Sequence, residues 1–448
     1  MGLLTLALAG CGRPEHPRSV VLVTIDTLRA DHLGFAGYAQ PTSPNMDALA
    51  AVSTVFDTAV PTCPATAPSV ASILTGLHKA AHGVRRNGSA LAPAVTTLAE
   101  RLRAAGWRTL ARGTNPVLGT RQGFAQGFDV FLLPAYSNES TAAPAVARDV
   151  RVLLDDVGDG PFFLWVHFFD PHGPYVAPKS FEAPFAADAY RRAGETDLPV
   201  ATSNSGFHVI PRYQALPFLR RPEDYRLRYD AEIRYVDEGV GEVVAALRAL
   251  GLWDRVVFVL TADHGESLGE HDYYFQHGRL AYDDCLRVPL VIHAPGVPSD
   301  GHHVRPSVSL VDVLPTILEL VGLPLPDGIA GRSLLPLARG EETADRPAFA
   351  QLYYGRHQSA MRLGSMKIIG TTSPDTVEMY DVAKDPGELQ DLAPTRTDEA
   401  AKLRWQLGAW LVAQRPPSAP SAPDDAASEP AAVDPDLQQK LRTLGYAD

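Results

Sequence analysis

Val20-Val-Leu-Val-Thr-Ile25 is an unbroken run of apolar and β-branched residues that leads straight into Asp26. A half-exposed strand would alternate apolar and polar positions. A run without a polar face predicts a strand buried on both sides, as in a parallel sheet covered by helices. Val256-Val-Phe-Val-Leu-Thr261 has the same character and leads to Asp263-His264, and Phe162-Phe-Leu-Trp-Val-His167 leads to Asp170 and His172. Ligands of open parallel sheets bind beyond the carboxyl ends of the strands. Three strands that each end in carboxylate or imidazole therefore predict one polar site on one edge of one sheet.

Helical patterns alternate with these strands. Residues 96–105 are amphipathic and stop at Gly106. Tyr229, Ile233, Val236, Val240, Val243, Leu247 and Leu250 recur at three- and four-residue steps and mark one long helix, and 311–321 is another, closed by Gly322. The expected fold is α/β, a large, mostly parallel sheet sandwiched by helices. Beyond about residue 345, short strands at 349–354, 366–369 and 378–382 precede a helix near 400–412 and predict a small C-terminal α+β subdomain. The expected divisions are a leader and linker over 1–18, a main domain over 19–344, the small subdomain over 345–413, a Pro- and Ala-rich linker over 414–436 and a helical tail over 437–448.

With 448 residues, 45% of them hydrophobic, the chain can bury a large core. Its formal net charge of −12 and scattered Lys and Arg exclude a nucleic-acid binder, which needs a basic face to displace phosphate counterions. An acidic protein that handles an anionic substrate needs local positive charge from a metal or a few cations. The N-terminal run Met1-Gly-Leu-Leu-Thr-Leu-Ala-Leu-Ala-Gly-Cys11 is too short to span a bilayer. Its Leu8-Ala9-Gly10-Cys11 resembles the bacterial lipobox, which implies a signal peptide and a periplasmic or cell-envelope lipoprotein, attached to the membrane only through lipidated Cys11. Cys63 and Cys285 remain, either paired or as two buried thiols.

Thr66-Ala-Pro-Ser-Val-Ala-Ser-Ile-Leu-Thr-Gly76 reads as a turn running into a helix. A hydroxyl at a helix N-terminus sits in positive potential, which suits an alkoxide nucleophile or a tetrahedral anion; alone, it reads as an N-cap. The segment resembles the sulfatase signature, Cys-x-Pro-x-Arg followed by Leu-Thr-Gly. Counting back from Leu74-Thr75-Gly76 places Thr66 at the Cys, Pro68 at the Pro and Val70 at the Arg. The chain is thus similar to the sulfatase family of the alkaline phosphatase superfamily, with Thr in the nucleophile's place. Sulfatases convert that Cys, or a Ser, to formylglycine. Thr66 is not convertible, so no formylglycine is expected, and Cys63 lies three residues early with no Arg four residues on. Thr is the nucleophile in related phosphodiesterases and phosphoethanolamine transferases, which shifts the expected substrate toward phosphate esters.

Other segments extend the resemblance from about residue 20 to 392. Asp26-Thr-Leu-Arg-Ala-Asp-His-Leu-Gly34 resembles the first metal motif, with Thr27 where sulfatases usually carry a second Asp; Asp31 reads as a loop residue capping the next turn. Thr261-Ala-Asp-His-Gly-Glu266 is similar to the Asp-His-Gly-Glu motif. Val166-His-Phe-Phe-Asp-Pro-His-Gly-Pro-Tyr175 resembles the Asp-Pro-His-x-Pro segment, which gives His172 a leaving-group role, while His167 reads as a core strand residue. His277 stands near an active-site Lys of sulfatases, and Asn87 and Asn115 fall near substrate-binding positions.

The resemblance implies one divalent metal (calcium, zinc or manganese) held by Asp26, Thr66, Asp263 and His264. A second metal stays open, with Asp170, His172 and His277 as its ligands. The implied reaction is hydrolysis of a phosphate or sulfate ester of a small molecule, glycan or lipid, with Thr66 attacking and His172 or His277 protonating the departing alkoxide. The alternatives are a phospho-alcohol transferase of the phosphoethanolamine type and a catalytically weakened anion-binding protein.

Overall fold

A computed structural model describes residue 17 and residues 19–352, 357–414 and 435–446 of the chain. The lipobox and most of the expected linker over 414–436 lie outside these residues. Ser19–Ile25 forms strand β1, and every one of its residues is buried. Seven further strands join its sheet: β2 (Thr54–Phe56), β3 (Arg108–Arg112), β4 (Val130–Leu132), β5 (Phe162–Phe168), β6 (Val256–Ala262), β7 (Leu290–His293) and β8 (His302–Val304). Their spatial order is β8-β2-β7-β6-β1-β5-β3-β4. All pairings are parallel except those of β7, which runs against both β6 and β2. The sequence-based expectation of a mostly parallel α/β sheet is thus met. The strands with continuous apolar runs are its centre, β6, β1 and β5, where both faces are covered.

Helices α1 (Thr66–Thr75), α2 (Leu98–Ala104), α3 (Ala143–Asp155), α4 (Pro222–Ala249) and α5 (Val313–Leu320) accompany the sheet. Helix α2 starts where Thr97 and Glu100 form a reciprocal capping box. The long helix expected from three- and four-residue spacing is α4, 28 residues long, and its apolar stripe of Tyr229, Ile233, Val236, Val240, Val243 and Leu247 is buried. The segment anticipated over 311–321 begins as a short 3-10 turn, Leu310–Asp312, before α5.

The small C-terminal unit is an antiparallel sheet of four strands in sequence order: β9 (Ala348–Gln351), β10 (Gln358–Leu363), β11 (Met366–Thr372) and β12 (Asp375–Asp381). Helix α6 (Thr397–Ala413) packs Ala400, Leu403 and Leu407 onto it. Strand β10, Gln-Ser-Ala-Met-Arg-Leu, is absent from the sequence-based expectation because its polar residues interrupt any alternation. It is nonetheless buried over five of its six positions, paired on both sides. A last helix, α7 (Pro435–Thr443), returns to the main domain, where Leu441, Leu444 and Tyr446 join the large core. Among the described residues, no helix is long and apolar enough to cross a membrane.

Candidate active site

Register places the site. Strand β1 pairs level with β5 and β6, so that Ile25 lies opposite Phe168 on one side and Ala262 on the other. Asp26 and Asp263 are each the next residue after their strand, and His167 lies opposite Thr24. All three are fully buried. They bring two carboxylates and an imidazole together, with ligand atoms within 4.8 Å of one another. His264 joins them: its Nε2 is 3.7 Å from Asp26 Oδ1 and 3.7 Å from Asp263 Oδ2. The Gly after it is required by close packing, since a Cβ on Gly265 would sit 2.1 Å from the Asp284 carbonyl oxygen.

Thr66 opens α1, and it is the first helical residue rather than the cap. Ala65 occupies the cap position in extended conformation, with no side chain capping the helix. The bland account of Thr66 as an N-cap is therefore excluded, and its hydroxyl is free for other partners. Thr66 Oγ1 lies 3.4 Å from His264 Nε2 and 3.2 Å from the Tyr446 hydroxyl. His264 Nδ1 donates to the Gly265 carbonyl at 2.9 Å, which leaves a lone pair on the Nε2 that faces Thr66.

Every residue of α1 is buried, so its position is tightly fixed. Asn87 Oδ1 accepts from Ala67 N–H at 2.8 Å, securing the first turn. Beneath the helix, the Ser72 hydroxyl donates to the Pro68 carbonyl, accepts from Thr62 Oγ1 at 2.7 Å and meets His82 Nε2 at 3.1 Å. Gly76, at φ +67°, ends the helix in the left-handed conformation.

The cluster fits a divalent cation. Asp26 Oδ1, Asp263 Oδ2 and His167 Nε2 are buried without a hydrogen-bond partner. Burial, and then the Asp26 charge, push the Asp263 carboxyl well above its ordinary range. Burial acts on Asp26 too, but His172, His167 and His264 outweigh it and hold that carboxyl low. Two carboxylates this close favour sharing a positive charge over both being bare. His167 is the residue that sequence reasoning left in the core. It is a buried strand residue, but its Nε2 points at Asp26 Oδ2 from 3.6 Å, beyond hydrogen-bonding reach. Asp-Pro-His drew attention to the later histidine, and only the pairing of β5 with β1 reveals the earlier one.

The other expected residues converge on the same spot. Asn115 Nδ2 donates to Asp26 Oδ2 and to the Tyr446 hydroxyl, each at 2.7 Å. His172 donates from Nδ1 to the Gly173 carbonyl at 2.8 Å, and its buried Nε2 has no partner. His277 Nδ1 lies 3.2 Å from Glu266 Oε1, and its ring is 4.3 Å from that of His264 and 5.3 Å from that of His172. Burial lowers His277 to about 4 and pushes His172 down as well, so both are neutral at neutral pH.

Some expected residues point elsewhere. Asp170 accepts from Ala143 N–H and lies in a cleft with Glu232, where burial pushes it up to about 7. Asp31, expected to cap a turn, instead forms a two-point ion pair with Arg29 at 2.9 and 2.8 Å. Cys63 and Cys285 are separate buried thiols. Val70, at the position of the signature Arg, is fully buried on α1.

The sulfatase family model matches residues 18–323 of the chain, and a model described as N-sulphoglucosamine sulphohydrolase, C-terminal, matches residues 269–415. The chain belongs to the sulfatase family. It is an ester hydrolase of the alkaline phosphatase superfamily, as its residue patterns imply. An ulvan-active sulfatase of Formosa agariphila is 27% identical over 85% of this chain and 77% of its own length. A multifunctional alkaline phosphatase superfamily protein of Trinickia caryophylli is 28% identical over 84% of this chain and 91% of its own. Among solved structures, a 2-O GAG sulfatase superposes with a TM-score of 0.73 at 21% identity, covering 95% of this chain and 96% of that one. The phosphonate monoester hydrolase of Agrobacterium radiobacter superposes at 0.69 with 24% identity, covering 89% and 95%. At these identities the two superpositions speak for the fold alone.

Proposed function

We propose that this sulfatase-family chain hydrolyses phosphate, phosphonate or sulfate esters of a small molecule, glycan or lipid, with Thr66 as the nucleophile. The observation that carries this reading is the Thr66 hydroxyl, released from any capping role, at the N-terminus of a buried helix and 3.4 Å from the unprotonated Nε2 of His264. Asp26, Asp263 and His167 would hold a divalent cation, with His264 between that group and the hydroxyl. Such an ion, when bound, supplies Lewis-acid polarisation of the ester and favours the alkoxide form of the nucleophile. A mixed carboxylate and imidazole set suits zinc or manganese better than calcium, which prefers oxygen donors.

The protein's own groups account for the proton movements. Thr66 Oγ1 yields its proton to His264 Nε2 as it bonds to the phosphorus or sulfur centre, and the bond to the leaving oxygen breaks. His172 or His277 protonates the departing alkoxide. Both are neutral in the free site, but a bound oxyanion raises their affinity for a proton. Water then attacks the threonine ester, gives its proton to the histidine that acted as acid, and Thr66 recovers its own from His264. Asn115 is the amide donor placed to meet an ester oxygen, and Asn87 serves the site by holding the first turn of α1. Thr66 in place of a convertible Cys or Ser favours phosphoryl over sulfuryl esters, and Val70 leaves α1 without a guanidinium to meet either anion. Lipidation at Cys11 would bring the activity to the cell envelope.

The test is turnover of 4-nitrophenyl sulfate, bis-4-nitrophenyl phosphate and a 4-nitrophenyl phosphonate, with metal content measured on the same protein. The wild type should cleave a phosphorus ester and carry stoichiometric metal. Thr66→Ala should lose at least 1,000-fold in kcat with its metal retained, and Asp263→Ala should lose both. Full turnover in the two variants would remove Thr66 and Asp263 from the site.

A further inference from the structure

We infer that the C-terminal tail is an intramolecular plug of this active site, seated with the Tyr446 phenol where the ester must sit and released when substrate binds. The inference rests on the Thr66-centred site proposed above.

The tail is built to reach the site. Helix α7 ends at Thr443; two residues on, Gly445, with a φ of +79°, reverses the chain, and the Tyr446 N–H closes the turn on the Leu441 carbonyl at 2.7 Å. This is a C-terminal glycine motif, and it aims the next side chain back along the helix. Leu441 and Leu444, three positions apart, dock that helix on the main core and are 6% and 1% exposed. Asn204 Nδ2 grips the Arg442 carbonyl at 3.1 Å. The Tyr213 ring packs so closely on Gly445 that an added Cβ would lie 2.6 Å from it.

These contacts deliver Tyr446 to the centre of the machinery. Its hydroxyl accepts from Asn115 Nδ2 at 2.7 Å and lies 3.2 Å from Thr66 Oγ1. Its ring stands 5.2 Å from that of His172 and 6.0 Å from that of His277. A reacting phosphorus or sulfur must come within about 3–3.5 Å of the nucleophile before attack. The phenol oxygen already fills that place, and it uses the amide donor that an ester oxygen needs. Tail and ester are therefore mutually exclusive. The docked tail scales apparent affinity down to the fraction of molecules in which it is undocked. A tail that only braced the fold would need the two leucines, but not a polar oxygen against the nucleophile.

The experiment compares the intact chain with two full-length variants, Tyr446→Ala and Leu444→Asp, checked first for cooperative melting. Calorimetric titration with inorganic phosphate and sulfate, KM for 4-nitrophenyl esters and hydrogen exchange of the tail amides are measured on each. The plug predicts slow exchange of residues 438–446 in the wild type and fast exchange in Leu444→Asp. It also predicts that anion affinity tightens and KM falls by at least tenfold in both variants. Unchanged or weaker anion binding in variants that still melt cooperatively overturns it, as does wild-type tail exchange as fast as that of the free peptide. A protected tail, with no anion binding and no turnover in any form, overturns the Thr66 site and the plug with it. Should Leu444→Asp fail to fold, Tyr446→Ala decides alone.

Discussion

The Thr24 hydroxyl lies 2.9 Å from His167 Nδ1 and also accepts from the Trp165 indole N–H at 3.0 Å. His167 binds a cation through Nε2 only with its proton on Nδ1, and the Thr24 oxygen is the acceptor placed to take that proton. In that tautomer the Nε2 lone pair is turned toward Asp26, 3.6 Å away. Thr24→Val keeps the shape and removes the acceptor. Partners of this kind are worth about 10–100-fold in metal affinity. That loss is the expected outcome, measured by competition with a chromogenic chelator, and an unchanged affinity would release His167 from the metal group.

Asn115 gives both amide hydrogens to site oxygens, one to Asp26 and one to Tyr446. Hydrogen bonds to charged groups contribute about 1.5–3 kcal/mol. Asn115→Ala should therefore lower kcat/KM by about 10–100-fold, and, because it strips a partner from Asp26 and from the Val117 N–H, it should lower the melting temperature as well. Asn115→Asp, which sets a third carboxylate beside Asp26, should be worse.

His82 makes the support of α1 sensitive to acid. Its Nδ1 accepts from Val84 N–H at 3.1 Å, so its proton is on the Nε2 that faces Ser72. Burial first, and then His78 and Lys79, lower its pKa to about 3. The unfolded chain thus takes up the proton before the folded one. The stability contributed by neutral His82 is complete above the ordinary pKa near 6.5 and is lost as pH falls toward 3. Linkage gives a loss of about 2 kcal/mol between pH 7.5 and pH 5. Other buried histidines add losses of the same sign, so in urea unfolding at the two pH values His82→Gln should differ from the wild type in its pH dependence by about that amount.

Gly265 has no room for a side chain against the Asp284 carbonyl. Gly265→Ala forces backbone apart and should cost about 1–3 kcal/mol, the usual penalty for overpacking. Because the residue follows His264, the same variant should also lose metal. A calorimetric scan with metal analysis checks both effects together.

Cys63 and Cys285 are buried, and burial raises both thiols, Cys63 to about 12. Neither should react with a disulfide reagent in the native protein, and both should react once it is unfolded in denaturant. Protection that disappears only on reduction would show a disulfide instead.

The centre of the sheet was legible because burial on both faces writes itself as unbroken apolar runs, as in β1, β5 and β6. Strand β10 was not, since its polar residues are satisfied by tertiary neighbours that a local pattern does not carry. The site divides the same way. Asp26, Asp263 and His264 follow directly on strand ends, where sequence order predicts placement. His167 depends on which strand is the neighbour of β1. Tyr446 depends on a contact across 380 residues, for which no local signal exists.

That long contact also sets an order in time. The tail leaves the ribosome about 140 residues after β8, the last strand of the main sheet, which at the usual ~5–20 residues per second is an interval of roughly 7–28 s. For that interval a nascent chain can have its carboxylates and imidazoles assembled with no phenol over them. Metal loading therefore has a natural opportunity during synthesis, and a tag fused just beyond Tyr446 would burden the step that ends it.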